Sequence, residues 1–318
     1  MITVVRPRYA GGMRALLVVN PKATTTNARA RDVLAHALAS EVKLDVAETT
    51  HRGHATELAR QAALDGLDVV VALGGDGTVN EVVNGILHAG PQADLPALAV
   101  VPAGSTNVFA RTLGMPNSAI EATSQLLDAL CSERRRTIGL AMADERYFTF
   151  NAGLGLDAGA VRRVERARAK GRTATQPLYV RSAIREYFVG VAHHKPVLTL
   201  ERPGSEPVRL ALALICNTDP WTFLGERPVR PCPEASFDTG LDVFGLTTTP
   251  PSAIIKHLRQ ILVEGARPRG KRLVSMHDLP GLTLTADLPL PFQLDGDDLG
   301  DRVRLELRAV PHALQVVV

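Results

Sequence analysis

The residues from Leu67 to Glu81 have the types and the spacing of a phosphate-binding loop. An apolar, β-branched run leads into three glycines around one acid, in the segment Gly74–Gly77, and a helical pattern follows at once. Glycines let backbone amides approach a ligand closely, and the first turn of a helix adds unpaired N–H donors and a dipole that favours anions. The alternative is a tight strand-to-helix turn that Asp76 caps. Because Gly-Gly-Asp-Gly-Thr is an unusual string for a turn alone, the segment favours a phosphate site.

The segments that must position this loop alternate between apolar runs and helical patterns, which is typical of a parallel α/β layer. The predicted strands cover residues 14–20, 42–48, 67–73 and 97–101, and the predicted helices cover residues 27–40, 54–65, 79–88 and 107–113. After Arg136, strand-like segments follow one another with few helical patterns, which favours an antiparallel sheet or sandwich. We therefore predict an α/β plus β fold: a Rossmann-like N-terminal α/β domain and a C-terminal antiparallel β-sandwich domain, with a boundary near Ile138.

Composition limits the classes of protein to which the chain can belong. The 318 residues are 45% hydrophobic and 22% charged, as in folded globular proteins, and a net charge of +3 is too weak to indicate a nucleic-acid partner. The three cysteines lack metal-site spacing and fit buried thiols in a reducing cytoplasm. Met1–Gly12 lacks the apolar stretch of a signal peptide, and no run approaches the ~18 apolar residues of a membrane span. We expect a cytoplasmic protein that is at most peripherally attached to a membrane.

The glycine loop belongs to a longer series of motifs. Gly74–Asn84 resembles the nucleotide-binding signature of the bacterial diacylglycerol kinase and sphingosine kinase family, which shares a superfamily with NAD kinases and 6-phosphofructokinases. The other segments that resemble this family are, in chain order, Asn20–Thr24, Thr50 with Gly53–Ala55, Pro102–Arg111, Phe150–Ala158, Phe237–Asp242 and Leu294–Asp297. Their order and spacing are those of the family, which argues against coincidence.

This resemblance implies an architecture and an activity. It implies an ATP-binding domain over residues 13–138, with residues 306–318 as a candidate addition to it, and a lipid-substrate domain over residues 139–305. The site is expected in the cleft between the two domains. ATP and Mg²⁺ are the implied cofactors, and the implied reaction transfers the γ-phosphate to a hydroxyl of diacylglycerol or a related lipid.

The resemblance also assigns roles to individual residues. Asp76 is expected to organise Mg²⁺ and phosphate rather than to act as a base, because phosphoryl transfer needs chiefly positioning and charge neutralisation. The positions assigned to the nucleotide are Asn20, Pro21, Lys22, Thr50, Gly74, Gly75, Asp76, Gly77, Thr78, Asn80, Glu81, Gly104 and Ser105. A second metal site is implied at Asp238 with main-chain carbonyls near Ala235 and Gly240, although Asp-Thr-Gly is also typical of a hairpin turn.

The segment Leu294–Asp297 takes the place of the family's Asp-Gly-Glu motif, which supplies the proposed general base. Asp295 aligns with the family Asp, and Asp297 replaces the family Glu with a side chain one methylene shorter, so the choice between them stays open. The alternative for this segment is a β-turn with Asp-Gly at its tip. Val108 stands where the family often has an Asp that could support a metal–water network. The two departures leave room for altered substrate choice or weak activity.

Two other functions compete with the lipid kinase. One is an NAD kinase-like enzyme, although Asn80–Glu81 directly after Thr78 is closer to the lipid branch. The other is a lipid- or nucleotide-binding protein with little catalysis. These alternatives share the same nucleotide loop, so the loop alone does not separate them.

The expected partners are a lipid alcohol and a membrane surface, and a homodimer is left open. The basic segment Val161–Phe188 fits contact with anionic headgroups and fits a solvated helix over the sheet equally well. Arg134–Arg136 and Arg267–Arg272 are candidate extensions of that basic surface.

Overall fold

The computed structural model describes residues 12–23, 28–169, 185, 197–263, 265 and 267–318. Thr24, Asn27 and much of the basic segment Val161–Phe188 lie outside the described residues. The helices are α1 (Ala28–Ala39), α2 (His54–Leu64), α3 (Asp76–Ile86), α4 (Val108–Thr112), α5 (Ala119–Cys131), α6 (Leu156–Ala169) and α7 (Pro251–Ile261). The strands are β1 (Arg14–Val19), β2 (Lys43–Glu48), β3 (Val69–Gly74), β4 (Ala97–Pro102), β5 (Arg135–Ala143), β6 (Arg146–Phe148), β7 (Asn151–Leu154), β8 (Leu198–Glu201), β9 (Val208–Leu210), β10 (Leu212–Cys216), β11 (Thr222–Leu224), β12 (Arg227–Val229), β13 (Leu241–Leu246), β14 (Leu273–Leu279), β15 (Gly281–Leu294) and β16 (Asp297–Val317).

The N-terminal half is built on a parallel sheet in the order β2–β1–β3–β4. Strands β3 and β4 are buried along their whole length, which is why both are continuous apolar runs in the sequence. Gly74 at the end of β3 pairs with Pro102 at the end of β4, so both strands end at the same edge of the sheet. Helices α3 and α4 therefore begin near one another at this edge.

The last strand connects the two halves of the molecule. Strand β16 pairs antiparallel with β15 along its first part and with β5 along its second part. Near its end, Val316 pairs in parallel with Leu98 of β4. Leu314, Val316 and Val317 are buried in the core of the N-terminal half. The domain boundaries given above stay a prediction.

The C-terminal half is an antiparallel sheet in the order β14–β13–β10–β7–β15. It surrounds a second apolar core, to which Leu200, Ile215 and Leu284 belong. The predicted fold class, an α/β N-terminal domain followed by an antiparallel strand-rich domain, is confirmed. No helix among the described residues is long and apolar enough to cross a membrane.

The helices differ from the prediction at two places. Helix α3 begins at Asp76 and not at Val79, so the end of the glycine loop already belongs to the helix. Helix α5 is absent from the prediction, although Ser118 accepts a hydrogen bond from the Glu121 N–H at its start. The Ser-x-x-Glu spacing of a capping box was its signal in the sequence.

The burial of β16 gives a prediction about stability. Leu314 is 3% exposed, so Leu314→Ala is expected to lower the free energy of unfolding by about 2–5 kcal/mol. The matched control is Val303→Ala in the same strand, where the side chain is 49% exposed and the expected change is below about 0.5 kcal/mol. Urea unfolding of both variants measures the difference, and equal losses would contradict the placement of the last strand.

Candidate active site

Two glycine loops touch at the carboxyl edge of the parallel sheet. A Cβ atom added to Gly104 would lie 2.6 Å from the Cα of Gly75, which is closer than real Cβ atoms come to another heavy atom. Asn107 fixes the second loop: its Oδ1 accepts the Gly104 N–H at 2.8 Å, and its Nδ2 donates to the Gly104 carbonyl at 3.0 Å. Only glycine therefore permits the close backbone approach at this edge.

The Asp76 side chain ties the first loop to the second. Its carboxylate oxygens accept the N–H groups of Val108 and Phe109, each at 3.1 Å, in the first turn of α4. A negative charge at a helix N-terminus is stabilised by these donors and by the helix dipole. Asp76 is thus a cap, but it caps α4 and not its own helix α3. Its expected part in holding Mg²⁺ stays a prediction.

Burial and the neighbouring acidic residues raise the proton affinity of Asp76. Burial raises the pKa of Asp76 to about 6, the Phe109 and Val108 amides lower it, and the charges of Asp295 and Asp297 raise it. Mg²⁺ commonly binds one or two carboxylates together with waters and phosphate oxygens, so a cation between these acids would relieve their repulsion. The described residues contain no group of three or more His, Cys, Asp or Glu side chains arranged to hold a metal by themselves. The donor set therefore fits Mg²⁺ only together with the phosphates of a nucleotide.

Three helix N-termini meet near this edge, and acidic side chains cap two of them. Glu81 accepts the N–H groups of Gly53 at 2.9 Å and Ala55 at 3.2 Å at the start of α2, while Asp76 caps α4. Gly75, the residue before α3, has no side chain to cap this helix, and no side chain among the described residues accepts a hydrogen bond from the N–H groups of Asp76, Gly77 or Thr78. The first N–H groups of α3 are therefore the donors left for an anion.

Two of the remaining residues that the resemblance assigns to the nucleotide, Asn20 and Thr78, meet at the first turn of α3. Asn20 links β1 to this helix, because its Nδ2 donates to the Thr78 Oγ1 at 3.0 Å. Its Oδ1 accepts the Lys22 N–H at 3.0 Å, which shapes the loop after β1. Asn20 and Thr78 are thus brought together, and the exposed members of the set are Pro21, Lys22, Thr50 and Ser105.

Asp295 is buried at the junction of the two halves and is 4% exposed. Its carboxylate accepts the N–H groups of Thr149, Phe150 and Asn151 and the Thr149 hydroxyl, over distances of 2.7, 3.0, 3.2 and 2.9 Å. A fifth donor comes from α3, where Asn80 Nδ2 lies 2.8 Å from Oδ2. Burial raises the pKa of Asp295, and these donors act in the opposite direction. The side chain is fully engaged in holding the two halves together.

Asp297 lies two residues further on and faces the cleft. Its side chain is 22% exposed, and its Oδ2 lies 3.3 Å from Nη2 of Arg52. A Cβ atom on Gly77 would lie 3.4 Å from Oδ1 and 3.5 Å from Oδ2, so the carboxylate stands beside the first turn of α3. Burial raises the pKa of Glu165 in α6, and the nearby charge of Asp297 raises it further. Asp297 therefore has the access to solvent that Asp295 lacks.

Two arginines that the sequence analysis did not single out complete the cleft. Arg52 neutralises part of the Asp297 charge. Arg162 of α6 lies 2.9 Å from Asp298 and 2.6 Å from Asp301, so it fixes the turn between β15 and β16. In the sequence, the only indication of a role for Arg52 was its position directly before Gly53, in a segment that resembles the family. Arg162 was visible only as one of many basic residues in its segment.

The second metal site predicted at Asp238, Ala235 and Gly240 falls in the turn before β13. The Asp238 carboxylate lies 2.7 Å from Nη2 of Arg136 and is 68% exposed. Because a guanidinium already neutralises this carboxylate, the arrangement disfavours a cation at the same oxygen. The site stays a prediction.

Val108, which stands where the family often has an acid, is 2% exposed and packs in the N-terminal core. Its side chain lies among apolar residues, and its backbone N–H donates a hydrogen bond to Asp76. Any metal–water network at this position must therefore rely on Asp76 and Asp297 instead of a side chain at 108.

Comparison with known proteins finds a family that is similar to the N-terminal half of the chain. Residues 14–143 match the diacylglycerol kinase catalytic domain. This match covers the N-terminal half of the chain and shows that residues 14–143 are similar to that domain. The predicted resemblance to this lipid kinase family is confirmed, and the matched residues include both glycine loops.

Individual relatives show the same resemblance over different lengths of the chain. The chain is 42% identical to the diacylglycerol kinase of Bacillus subtilis over 107 residues, which cover 34% of this chain and only 33% of that protein. It is 28% identical over 302 residues to a protein of Stenotrophomonas maltophilia named "Probable lipid kinase YegS-like", with 93% of each chain covered. The second alignment includes the C-terminal half.

Solved structures show that the fold is shared. A diacylglycerol kinase from Bacillus anthracis aligns with a TM-score of 0.70 at 20% identity, over 96% of both chains. An NAD kinase from Archaeoglobus fulgidus, solved in complex with ATP, aligns with a TM-score of 0.51 at 10% identity, over 96% of this chain and 94% of that one. At these identities, both similarities are similarities of fold.

The contact between the glycine loops predicts the effect of one added methyl group. Gly104→Ala is expected to weaken binding of a non-hydrolysable ATP analogue at least about tenfold, because the new Cβ pushes the two loops apart. The control is Gly12→Ala, where an added Cβ meets nothing within 4 Å. Isothermal titration calorimetry measures the affinities, and a thermal melt of each variant checks that it is folded. Unchanged affinity in folded Gly104→Ala would contradict a phosphate site at this contact.

The raised pKa of Asp76 predicts a dependence of stability on pH. Since the folded protein binds this proton more tightly than the unfolded chain, the contribution of Asp76 to stability falls as the pH rises from about 4 to about 6. Asp76→Asn removes the titration, so the stability of the wild type relative to this variant should decrease by up to about 3 kcal/mol across that window. Urea unfolding of both proteins at several pH values measures the difference. A constant difference would show that Asp76 does not have a raised pKa.

Proposed function

We propose that the protein is an ATP-dependent lipid kinase, which transfers the γ-phosphate of ATP to a hydroxyl of diacylglycerol or a related lipid. The observation that carries the proposal is the juxtaposition of the uncapped first turn of α3 with the Asp297 carboxylate. The N–H groups of that first turn bind a phosphate, and the Asp297 carboxylate accepts a proton close to it. The catalytic-domain match and the full-length relative support the same function.

The phosphates of ATP are assigned to the edge where the glycine loops meet. The N–H groups in the first turn of α3 would donate to phosphate oxygens, and Thr78 and Asn20 would position that turn. Mg²⁺ bound with the nucleotide would neutralise phosphate charge, and Asp76 would supply a protein oxygen for it. Arg52 adds a positive charge at the same side of the cleft. These residues bind and orient the nucleotide without forming a bond to it.

Asp297 is the proposed general base. As the lipid hydroxyl oxygen forms its bond to the γ-phosphorus, the bond from that phosphorus to the bridging oxygen breaks, and ADP leaves with the electron pair. The hydroxyl proton passes to the Asp297 carboxylate. Asp295 is assigned to positioning, because its oxygens already accept five hydrogen bonds and 4% exposure leaves it no access to a lipid.

The test is transfer of labelled γ-phosphate from ATP and Mg²⁺ to a panel of lipid alcohols in mixed micelles, with NAD as a parallel acceptor. The wild type is expected to label a lipid. Asp297→Asn is expected to lower kcat by about 10²–10⁴-fold, because it removes the proton acceptor and keeps the size of the side chain. The matched control is Asp45→Asn, an exposed residue of β2, and its turnover should equal that of the wild type.

Other outcomes of this assay would overturn the proposal. Transfer to NAD alone would identify an NAD kinase-like enzyme, and ATP binding without any transfer would identify a binding protein. Full turnover in Asp297→Asn would remove Asp297 from catalysis. Asp297→Glu restores the side chain of the family motif, so a rise in turnover would show that the shorter carboxylate limits the rate.

A further inference from the structure

Helix α7 exposes apolar side chains that the described part of the chain does not cover. Ile255 and Leu258 are 52% and 48% exposed, and Val263 just after the helix is 51% exposed. The opposite face of α7 is anchored in the molecule, since Ala253 and His257 are buried. The exposed apolar stripe therefore belongs to a helix that is fixed in place, and it points to solvent.

Basic side chains surround this stripe. Only Arg267 among them forms an ion pair within the described residues, with Glu234 at 3.0 Å. In the sequence from 251 to 272 there is a single acidic residue, Glu264. The basic residues, all of them exposed, are Lys256, Arg259, Arg267, Arg269, Lys271 and Arg272.

Hydrogen bonds hold the basic segment beside the helix. The Gln260 side chain of α7 donates from Nε2 to the Arg269 carbonyl and accepts the Arg269 N–H at Oε1, both at 3.2 Å. The Thr247 N–H donates to the Arg272 carbonyl at 3.0 Å. The apolar and the basic residues therefore form one surface, and its charge arrangement is part of the fold.

We propose that this surface, here named the α7 surface, docks the protein on an anionic lipid bilayer. It consists of Ile255, Leu258, Val263 and the six basic residues named above. Aliphatic side chains flanked by Lys and Arg match the boundary between acyl chains and anionic headgroups. A nucleic acid would contact the basic residues but would gain nothing from exposed aliphatic ones. Residues 251–272 contain no Phe, Tyr or Trp for base stacking, and their one histidine, His257, is buried.

The proposal rests on the proposed lipid kinase function only for the presence of a substrate in the bilayer. It moves the main membrane contact from the segment Val161–Phe188, most of which lies outside the described residues, to α7. It retains Arg267–Arg272, which the sequence analysis gave only as an extension of a basic surface.

The α7 surface is connected to the candidate active site through the hairpin of β11 and β12. At the end of α7 the Leu262 carbonyl accepts a hydrogen bond from Arg227 Nε at 2.8 Å. At the turn of the hairpin, Glu226 lies 2.8 Å from Nη2 of Arg111 in α4. Because Asp76 caps α4, a bilayer bound at α7 would contact an element that leads directly to the nucleotide loop.

The test is sedimentation of the full chain with vesicles, without nucleotide. One set of vesicles contains phosphatidylcholine and phosphatidylglycerol, and the other contains phosphatidylcholine alone. We expect binding to the anionic vesicles that weakens as salt is raised. Ile255→Ser with Leu258→Ser is expected to lower the partition coefficient by on the order of tenfold, and Lys271→Ala with Arg272→Ala by on the order of twentyfold, at about fivefold for each charge.

Matched controls change the same residue types elsewhere on the surface. Ile120→Ser replaces a side chain of α5 that is 74% exposed, and Arg202→Ala removes an exposed charge after β8. Both are expected to bind as the wild type does. Equal binding by the wild type and the α7 variants, or equal loss in the controls, would overturn the proposal.

Two further results would overturn it in favour of another partner. If the α7 apolar variant converts a dimer to a monomer in analytical ultracentrifugation while vesicle binding persists, the surface is a contact between two copies of the chain. If the wild type binds RNA and not anionic vesicles, the basic residues serve a nucleic acid.

The proposed kinase function is tested separately with a short-chain diacylglycerol that is soluble as a monomer. The α7 variants are expected to phosphorylate it at the wild-type rate, while they lose activity on long-chain lipid in anionic vesicles. Loss on both substrates would overturn a docking role. Vesicle binding by a wild type that phosphorylates neither substrate would leave the docking surface supported and refute the kinase.

Discussion

The carboxylate of Asp295 is the interaction on which the cleft depends. It is buried where the loop after β6, the end of β15 and helix α3 meet, and it accepts five hydrogen bonds from these elements. Leaving such a charge without its donors costs several kcal/mol, so the two halves are held in one relative position. An apolar residue at 295 would remove the hydrogen bonds that link α3 to the C-terminal sheet.

The position of the proposed general base follows from that link. Asp297 comes two residues after Asp295, and the turn between β15 and β16 is fixed from the other side by Arg162. This places the Asp297 carboxylate beside Gly77 in the first turn of α3. On the N-terminal side, the contact of Gly75 with Gly104 and the capping of α4 by Asp76 fix the other wall of the cleft. Rigid positioning is what phosphoryl transfer requires of a protein.

Much of the N-terminal half could be predicted because its signals are local. Buried parallel strands are continuous apolar runs, and glycine loops follow two of them, so the strands from Arg14 to Pro102 lie close to their predicted places. The resemblance to the family assigned Asn20 and Thr78 to one ligand, and they lie side by side because the carboxyl ends of parallel strands meet at one edge. Their hydrogen bond confirms only that they are neighbours, and their contact with a nucleotide remains a proposal.

The sequence did not separate the roles of the acidic residues, because those roles depend on contacts between distant segments. Asp76 caps a helix that begins more than thirty residues later. Asp295 and Asp297 look alike in the sequence, but Asp295 is buried under donors from residues 149–151, whereas Asp297 is only partly buried and lies beside Arg52. The outward direction of the apolar face of α7 was also invisible, since the packing of Ala253, His257 and Ile261 against distant segments decides which side of the helix points outward.

The most direct test of this account is a crystal structure of the protein with Mg²⁺ and a non-hydrolysable ATP analogue. The account predicts that the β- and γ-phosphates accept hydrogen bonds from N–H groups in the first turn of α3. It also predicts that the Asp297 carboxylate lies on the side of the γ-phosphate that faces the C-terminal half, while Asp295 keeps its five donors. Phosphates bound away from α3, or an Asp297 side chain turned away from the γ-phosphate, would contradict it.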